Sequence, residues 1–151
     1  MRTEMILDRQ VVPARFNIVE HVNGDFPTTP DTAIPQKDWL RLRNEGMDVR
    51  ALGVIVCGDE DIAALEPVIH EATFVALRLP KFSDGRIYSH AYRIRTLWNY
   101  RGTILVYGDV LRDQLLYLSR VGINGFYMRS DQDLAASLSA FSLYSEFWQY
   151  R

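Results

Sequence analysis

Two polar turns carry the side chains best suited to chemistry in this sequence. The first, at 81–86, reads Lys-Phe-Ser-Asp-Gly-Arg, and the second, at 108–114, reads Gly-Asp-Val-Leu-Arg-Asp-Gln. Each turn follows an apolar run and precedes a helical pattern. The candidate ligand-binding residues are Lys81, Ser83, Asp84, Gly85, Arg86, Gly108, Asp109, Arg112, Asp113 and Gln114.

The cationic side chains of the first turn favour an anionic ligand. Arg86 lies beside the start of a predicted helix, where free backbone N–H groups already attract negative charge. Arg86, His90 and Arg93 also share one face of that helix, at i, i+4 and i+7. Two interpretations are open: a site for a small anion or phosphate, or a solvated face with internal Asp–Arg pairs.

The carboxylates suggest a second kind of chemistry. Asp84 and Asp109 could act as a general acid and a general base in one site. Both also stand where a helix N-cap is favoured, as do Asp59 and Ser130, and a cap is worth about 1 kcal/mol. Capping is therefore the alternative for each of them, and no catalytic residue is assigned.

The motifs of several other chemistries are absent from the sequence. It contains neither the dinucleotide-binding Gly-x-Gly-x-x-Gly fingerprint nor the phosphate-binding Gly-x-x-x-x-Gly-Lys-Ser/Thr loop, so it does not indicate a particular cofactor. The three histidines, His21, His70 and His90, lack ligand spacing, and we expect no metal site. The single cysteine, Cys57, excludes an intramolecular disulfide, and we interpret it as a small apolar residue at a strand end.

The composition is that of an ordinary folded domain. The chain has 151 residues, of which 48% are hydrophobic and 24% charged, with a net charge of -2. Such a chain can bury its own core, and it has no general attraction to nucleic acid or to anionic membranes. No apolar run approaches the ~18 residues of a membrane span, and no signal peptide pattern opens the sequence. We therefore expect a cytoplasmic protein that binds neither nucleic acid nor membrane.

The polar turns must be positioned by alternating strands and helices. Apolar runs predict strands at 52–57, 74–79, 103–107 and 123–128. Helical patterns follow them, with stripes at Ile62, Leu65 and Ile69, over 87–99, at Leu111, Leu115 and Leu118, and from 130 to about 150.

This alternation predicts a single α/β domain over residues 1–151, with a mainly parallel sheet of at least four strands. An open three-layer sheet with helices on both faces and an incomplete (β/α) barrel both fit the pattern. The β-α core would occupy 35–151. Before it, residues 1–34 predict a short β-hairpin, followed by a proline-containing loop at 23–36 that is either passive or a lid.

The strand order places the candidate site. In parallel α/β proteins, ligands bind beyond the carboxyl ends of the strands. Because both turns follow strands, we expect Lys81, Asp84, Arg86, Asp109 and Asp113 to lie in one cleft at that edge. We also expect Arg86 to pair with Asp109 or Asp113, since a partly buried arginine without a carboxylate is costly.

The C-terminal helix is predicted to be apolar over an unusually wide arc. Leu134, Leu138, Phe141 and Trp148 form one stripe that can cover the sheet, while Leu143, Tyr144 and Phe147 widen it. The additional apolar surface must pack either on residues 5–19 or on a second chain, as a homodimer.

The two turns and their surroundings resemble a bacterial family of unknown function. The resemblance is carried by residues 79–89, 100–102, 108–114 and 120–122, and it covers roughly 35–130. Members of that family are often encoded beside assimilatory sulfite reductase and are commonly labelled as oxidoreductases involved in sulfite reduction. The chain departs from the family pattern at 90–93 and at 122–126, where Asn124 stands in place of an acidic residue.

The resemblance implies a pathway and leaves two functions open. The first is an accessory protein of sulfite reduction that binds a small anionic ligand or docks on sulfite reductase. The alternative is an oxidoreductase or hydrolase that uses Asp84 or Asp109 with a phosphate-bearing cofactor or substrate. The absence of a dinucleotide fingerprint and of a cysteine pair argues against redox chemistry by this chain alone.

Overall fold

The computed structural model describes residues 3–24, 27, 29–81 and 84–141. One candidate site residue, Ser83, lies outside the described residues. So does the second half of the predicted C-terminal helix, with Leu143, Tyr144, Phe147 and Trp148.

Within these ranges, eight strands form one sheet in the order β2-β1-β8-β7-β6-β5-β4-β3. Strands β3 to β8 are parallel neighbours, whereas β1 runs antiparallel to both β2 and β8. The predictions of at least four parallel strands and of an N-terminal hairpin are confirmed. The strands are β1 Glu4–Leu7, β2 Gln10–Pro13, β3 Asn17–Ile18, β4 Thr32–Pro35, β5 Leu52–Cys57, β6 Phe74–Leu79, β7 Thr103–Gly108 and β8 Gly125–Phe126.

The connections between the parallel strands are short helices and helical turns. The α-helices are α1 Gln36–Asn44, α2 Arg86–Tyr92, α3 Leu115–Arg120 and α4 Leu134–Ser137. Helix α2 continues into a π-helical turn at Arg93–Leu97, and a 3₁₀ turn at Arg112–Gln114 precedes α3. Two further 3₁₀ turns, Ala63–Leu65 and Ile69–Glu71, lie between β5 and β6.

Two local predictions are wrong. The stripe at 62–69 predicts a helix, but Pro67 has no N–H to donate, and the segment breaks into two 3₁₀ turns. The prolines of 23–36 predict a loop throughout, yet this region contains β4. Ala33 and Ile34 are fully buried there between β3 and β5, because Pro35 only ends the strand.

The connection between β2 and β3 forces the sheet to curl. These two strands occupy opposite edges of the sheet, and only residues 14–16 separate them. From Pro13 to Asn17 the chain spans at most about 14 Å. Eight strands lying flat would be about 34 Å wide. The two edges therefore approach each other, and the sheet closes most of the way into a barrel.

The helices pack on the outer face of this curled sheet. Alternate strand residues such as Val54, Val56 and Leu77 join Trp39, Leu42, Ile87, Ala91, Leu115 and Leu118 in the outer core. The inner face forms a second core, whose buried members are Met5, Phe16, Ala33, Ile55, Phe74, Ala76, Leu105 and Tyr127. Because this second core contains no helical residue, the described chain has the architecture of an incomplete (β/α) barrel rather than of a three-layer sheet.

Tyr127 fixes the segment that crosses the barrel interior. Its hydroxyl donates to the carbonyl oxygen of Phe16 at 2.6 Å and accepts from the Phe16 backbone N–H at 2.9 Å. The Phe16 ring packs against Phe74, with centroids 4.5 Å apart. The crossing segment is thus part of the inner core.

Candidate functional site

Both polar turns lie at the carboxyl edge of the sheet, as expected. Leu79 and Gly108 are register neighbours at the ends of β6 and β7, and the N–H of Asp109 donates to the Leu79 carbonyl at 2.7 Å. Gly108 has φ +111°, and a Cβ at this position would collide with the Leu79 carbonyl oxygen. The backbone therefore requires glycine at 108 whether or not a ligand binds.

Asp84 and Arg86 form an ion pair within the first turn. Arg86 Nε and Nη2 donate to the two Asp84 oxygens at 3.0 and 3.2 Å, and the Arg86 backbone N–H donates to Oδ1 at 3.1 Å. The Asp84 side chain is 9% exposed, whereas that of Arg86 is 62% exposed. The hydrogen bond from Arg86 lowers the pKa of Asp84. The expected pairing of Arg86 with Asp109 or Asp113 is wrong, because a carboxylate two residues away is already in reach.

The first turn packs over the end of β5. A Cβ at Gly58 would stand 2.9 Å from Oδ2 of Asp84, so glycine leaves room for that carboxylate. The buried ring of His90 places Nε2 3.1 Å from the Gly58 carbonyl oxygen. Arg93 instead lies over the Trp98 ring, 5.3 Å from its centroid. Arg86, His90 and Arg93 therefore do not form one cationic surface.

Asp109 belongs to a different cluster, built around Arg129. Arg129 Nη1 donates to Asp109 at 2.9 Å, while Nε and Nη2 donate to Asp131 at 2.7 and 2.8 Å. The hydrogen bond from Arg129 lowers the pKa of Asp131 to about 2. The acidic candidates thus share one edge of the sheet but belong to two ion-pair clusters.

The remaining residues of the second turn stabilise the backbone. Gln114 Oε1 accepts from the N–H of Leu111 at 3.1 Å, which is half of a capping box. Arg112 connects the turn to the segment around α4, because its Nη2 donates to Ser139 Oγ at 2.8 Å and its N–H donates to Gln132 Oε1 at 3.0 Å. Lys81, Gly85 and Asp113 are exposed. A ligand-binding role for these candidates stays a prediction.

The inner face supplies a row of polar side chains that sequence reasoning missed. Cys57, Arg78 and Tyr107 are register neighbours on β5, β6 and β7. They lie at alternate positions from Ile55, Ala76 and Leu105 of the inner core, so they continue that face to its carboxyl end. Glu20, just beyond β3, reaches across the barrel to Arg78, with Oε2 3.6 Å from Nε.

A cavity of about 400 Å³ opens beside this row, and we name it the mouth cavity. One wall comes from the β3 side and the other from β7 and β8, so it is the carboxyl opening of the incomplete barrel. In (β/α) barrels this is where substrates bind. Its lining includes Ile18, Glu20, Tyr107, Gly108, Tyr127 and Arg129.

The polar row and the adjoining mouth cavity together present two cationic donors, Arg78 and Arg129, the Glu20 carboxylate, and the neutral side chains of Tyr107 and Cys57. Among the described residues, the buried Tyr107 hydroxyl has no partner in hydrogen-bonding geometry. Burial, and after it the nearby Glu20 carboxylate, raise the pKa of Tyr107. Burial likewise raises the pKa of the Cys57 thiol. The arrangement therefore suits hydrogen bonding to an anion better than attack by a thiolate.

The charged Arg78 within an apolar run is a feature of the sequence that could have located this site. It is the only charged residue of β6, which otherwise reads Phe-Val-Ala-Leu-Leu, and it stands next to the strand's carboxyl end. A charge in an apolar parallel strand needs a partner or a solvent opening. Cys57 and Tyr107 gave no comparable signal, because both residue types are common in half-buried strands.

Residues 3–24, 27, 29–81 and 84–141 contain no group of three or more His, Cys, Asp or Glu side chains arranged to hold a metal ion. Of the helices formed by these residues, none combines the length and apolar character needed to cross a membrane.

Comparison with known protein families gives one match. Residues 53–151 match the family described as "Bacterial protein of unknown function (DUF934)". The match begins in β5, includes both polar turns, and continues past residue 130, where the resemblance noted from the sequence ended. No curated protein matches the sequence.

Proposed function

The chain belongs to the bacterial DUF934 family, and we propose that it binds a small anionic ligand in the mouth cavity. We propose further that it serves as an accessory protein of assimilatory sulfite reduction, with sulfite reductase as its docking partner. The resemblance of the two polar turns to a family encoded beside that enzyme supports the pathway. Sulfite is itself a small anion, which is the chemistry that the mouth favours.

The observation that carries the proposal is the position of Arg78. Arg78 borders the mouth cavity rather than lining it: it contacts Glu20 and is the register neighbour of Tyr107, both of which line the cavity, and its side chain is 46% exposed. Its contact with Glu20 is 3.6 Å long, whereas Arg86 and Arg129 hold carboxylates at about 3 Å or less. A loosely paired guanidinium can exchange its carboxylate for a ligand oxygen at little cost.

Tyr107 and Arg129 complete the proposed anion site. The raised pKa of Tyr107 keeps its hydroxyl protonated near neutral pH, so this group can donate a hydrogen bond. A ligand oxygen would compete with the nearby Glu20 carboxylate for that buried hydroxyl, which has no partner in hydrogen-bonding geometry. Arg129 lines the same cavity and adds positive charge, although Asp109 and Asp131 already engage its nitrogens.

The alternative, an enzyme that uses Asp84 or Asp109, receives less support. Each carboxylate is paired with its own arginine, and the lowered pKa of Asp84 makes it a poor general acid. A visible absorption spectrum of the purified protein separates the two functions. We expect no flavin band, and a flavin band would favour the oxidoreductase.

A homodimer through the C-terminal helix is a separate proposal. In the described part of the stripe, Leu134 and Phe141 are buried against the outer core, and Leu138 packs beside them. The proposed pairing surface is the remainder of the stripe predicted from the sequence, which includes Phe147. Light scattering at micromolar concentration should give a dimer mass that Phe147→Asp reduces to a monomer. A monomeric mass that this substitution leaves unchanged rules the dimer out.

The anion site is tested by calorimetric titration with sulfite at low ionic strength. Arg78→Met should weaken binding roughly tenfold or more, because it removes a charge-assisted hydrogen bond. Arg50→Met is the matched control, since Arg50 is also exposed and ion-paired, with Asp48, but precedes β5 at the opposite edge. Equal affinity of the wild-type protein and Arg78→Met would refute the site.

A further inference from the structure

A second cavity, of about 500 Å³, lies at the amino edge of the sheet, opposite the mouth. Its charged lining consists of Arg9, Arg95, Arg101 and Asp8. Arg101 lies two residues before the start of β7, and the turn that holds Asp8 and Arg9 joins β1 to β2. Three guanidinium charges therefore face one carboxylate among the described residues, which leaves two positive charges in the cavity.

Arg95 is held in place without a carboxylate in hydrogen-bonding contact. Its Nη1 donates to the carbonyl oxygens of Tyr100 and Gly102 at 2.7 and 2.8 Å, and its Nε donates to that of Gly122 at 2.9 Å. Its Nη2 donates to Asn124 Oδ1 at 3.2 Å. Burial lowers the pKa of Arg95. Because these acceptors are neutral, the charge itself would still be stabilised by an anion in the cavity.

Arg9 is presented to the cavity by a fixed hairpin turn. Asp8 and Arg9 both have positive φ, 52° and 64°, as in the two-residue turns that join twisted strands. Asn124 Nδ2 donates to the Asp8 carboxylate at 3.1 Å, and the Asp8 N–H donates to the Asn124 carbonyl at 2.9 Å. The Arg9 guanidinium lies over the Phe141 ring, 5.2 Å from its centroid. The turn is thus attached to the start of β8.

We propose that this amino-edge cavity binds a phosphorylated small molecule. Arg9 and Arg101 contact the phosphoryl oxygens, which match the planar fork of a guanidinium, while Arg95 remains bound to the backbone. A phosphoryl dianion balances the two surplus positive charges. The apolar lining residues Ile123 and Phe141 are almost fully buried, so the phosphoryl contacts with Arg9 and Arg101 carry the recognition. The cavity volume falls in the usual range for small-molecule sites.

Phenyl phosphate is a suitable probe, because it joins an aromatic ring to a phosphoryl dianion. Calorimetric titration of the full chain should show saturable binding with one site at the amino edge, and phenol should not bind. Arg9→Met and Arg101→Met should each weaken binding roughly tenfold. Both side chains are exposed, so we expect the variants to fold, which circular dichroism verifies.

Two controls separate this site from the mouth cavity. Arg41→Met should leave the affinity unchanged, because Arg41 is an exposed arginine that pairs with Asp38 and Glu45 on α1. Arg78→Met should also leave it unchanged, whatever its effect on sulfite. The proposal is overturned if phenyl phosphate shows no saturable binding. It is equally overturned if only Arg78→Met weakens binding, or if neither Arg9→Met nor Arg101→Met does.

Discussion

The mouth of the barrel and the cavity at its amino edge hold their arginines in different ways. At the carboxyl end the arginines contact carboxylates, in the pairs Arg86–Asp84, Arg129–Asp109 and Arg78–Glu20. At the amino end Arg95 is bound by three backbone carbonyls and one amide oxygen. The first arrangement balances charge near solvent, whereas the second satisfies backbone groups at the start of β7 and β8.

Because of this difference, substitutions in the two regions should affect different properties, ligand binding in one and stability in the other. Exposed ion pairs contribute about 1 kcal/mol or less, so a ligand can replace one partner without unfolding the chain. Partly buried carbonyls that lose their donor cost more, because they were removed from water to make that bond. We therefore expect substitutions at the mouth to change binding, and substitution of Arg95 to change the free energy of unfolding.

Replacing Arg95 tests this comparison with the largest expected effect. Arg95→Met leaves three backbone carbonyls without this donor, whereas Asn124 Oδ1 still accepts from the N–H of Ile104, and we expect a loss of roughly 3 kcal/mol in the free energy of unfolding. Urea denaturation followed by circular dichroism measures it. Arg41→Met serves as the control and should stay within about 0.5 kcal/mol. If Arg95→Met and Arg41→Met lower the free energy of unfolding by the same small amount, the distinction between the mouth and the amino-edge cavity fails.

Tyr127 tests whether the crossing segment closes the barrel. Tyr127→Phe keeps the ring but removes both hydrogen bonds to the buried backbone of Phe16, and it should cost about 2 kcal/mol of unfolding free energy. Tyr92→Phe is the matched control, because Tyr92 is 47% exposed. If Tyr127→Phe and Tyr92→Phe have the same free energy of unfolding, the two hydrogen bonds from Tyr127 to Phe16 contribute nothing to stability.

The smallest expected effect is the pH dependence that the Arg129–Asp131 pair contributes. Asp131 has its pKa lowered from 3.8 to about 2 by Arg129, so the unfolded chain takes up this proton first. The stability that this pair contributes is complete above about pH 4 and is lost as the pH falls through about 2. Arg95 contributes nothing in this range, because an arginine stays charged there.

Carboxyl NMR shifts measure the titration of Asp131 directly. We expect a midpoint near pH 2, and Asp131→Asn should reduce the acid sensitivity of the unfolding free energy. A midpoint near 3.8 would show that Arg129 does not hold this carboxylate in solution.

Local patterns predicted the parallel strands and the edge that carries the polar turns. Leu52–Cys57 and Phe74–Leu79 are continuous apolar runs, and such runs are typical of strands covered on both faces. Strand β4 was not predicted, because it has only four residues, ends on Pro35 and is too short to show a hydrophobic pattern. The partner of Arg86 was also mispredicted. Asp84 lies two residues away in the same turn and already reaches Arg86, so no carboxylate of the second turn is needed.

The sequence by itself determined the β-α alternation, the polar turns after β6 and β7, and hence the edge at which they lie. The tertiary structure alone decided that Glu20 meets Arg78 and that Arg9 joins Arg101 around one cavity. These residues are far apart in the chain, and they meet because the short connection from β2 to β3 curls the sheet. Local hydrophobic periodicity reports which face of a strand is buried, but it carries no information about which strands become neighbours.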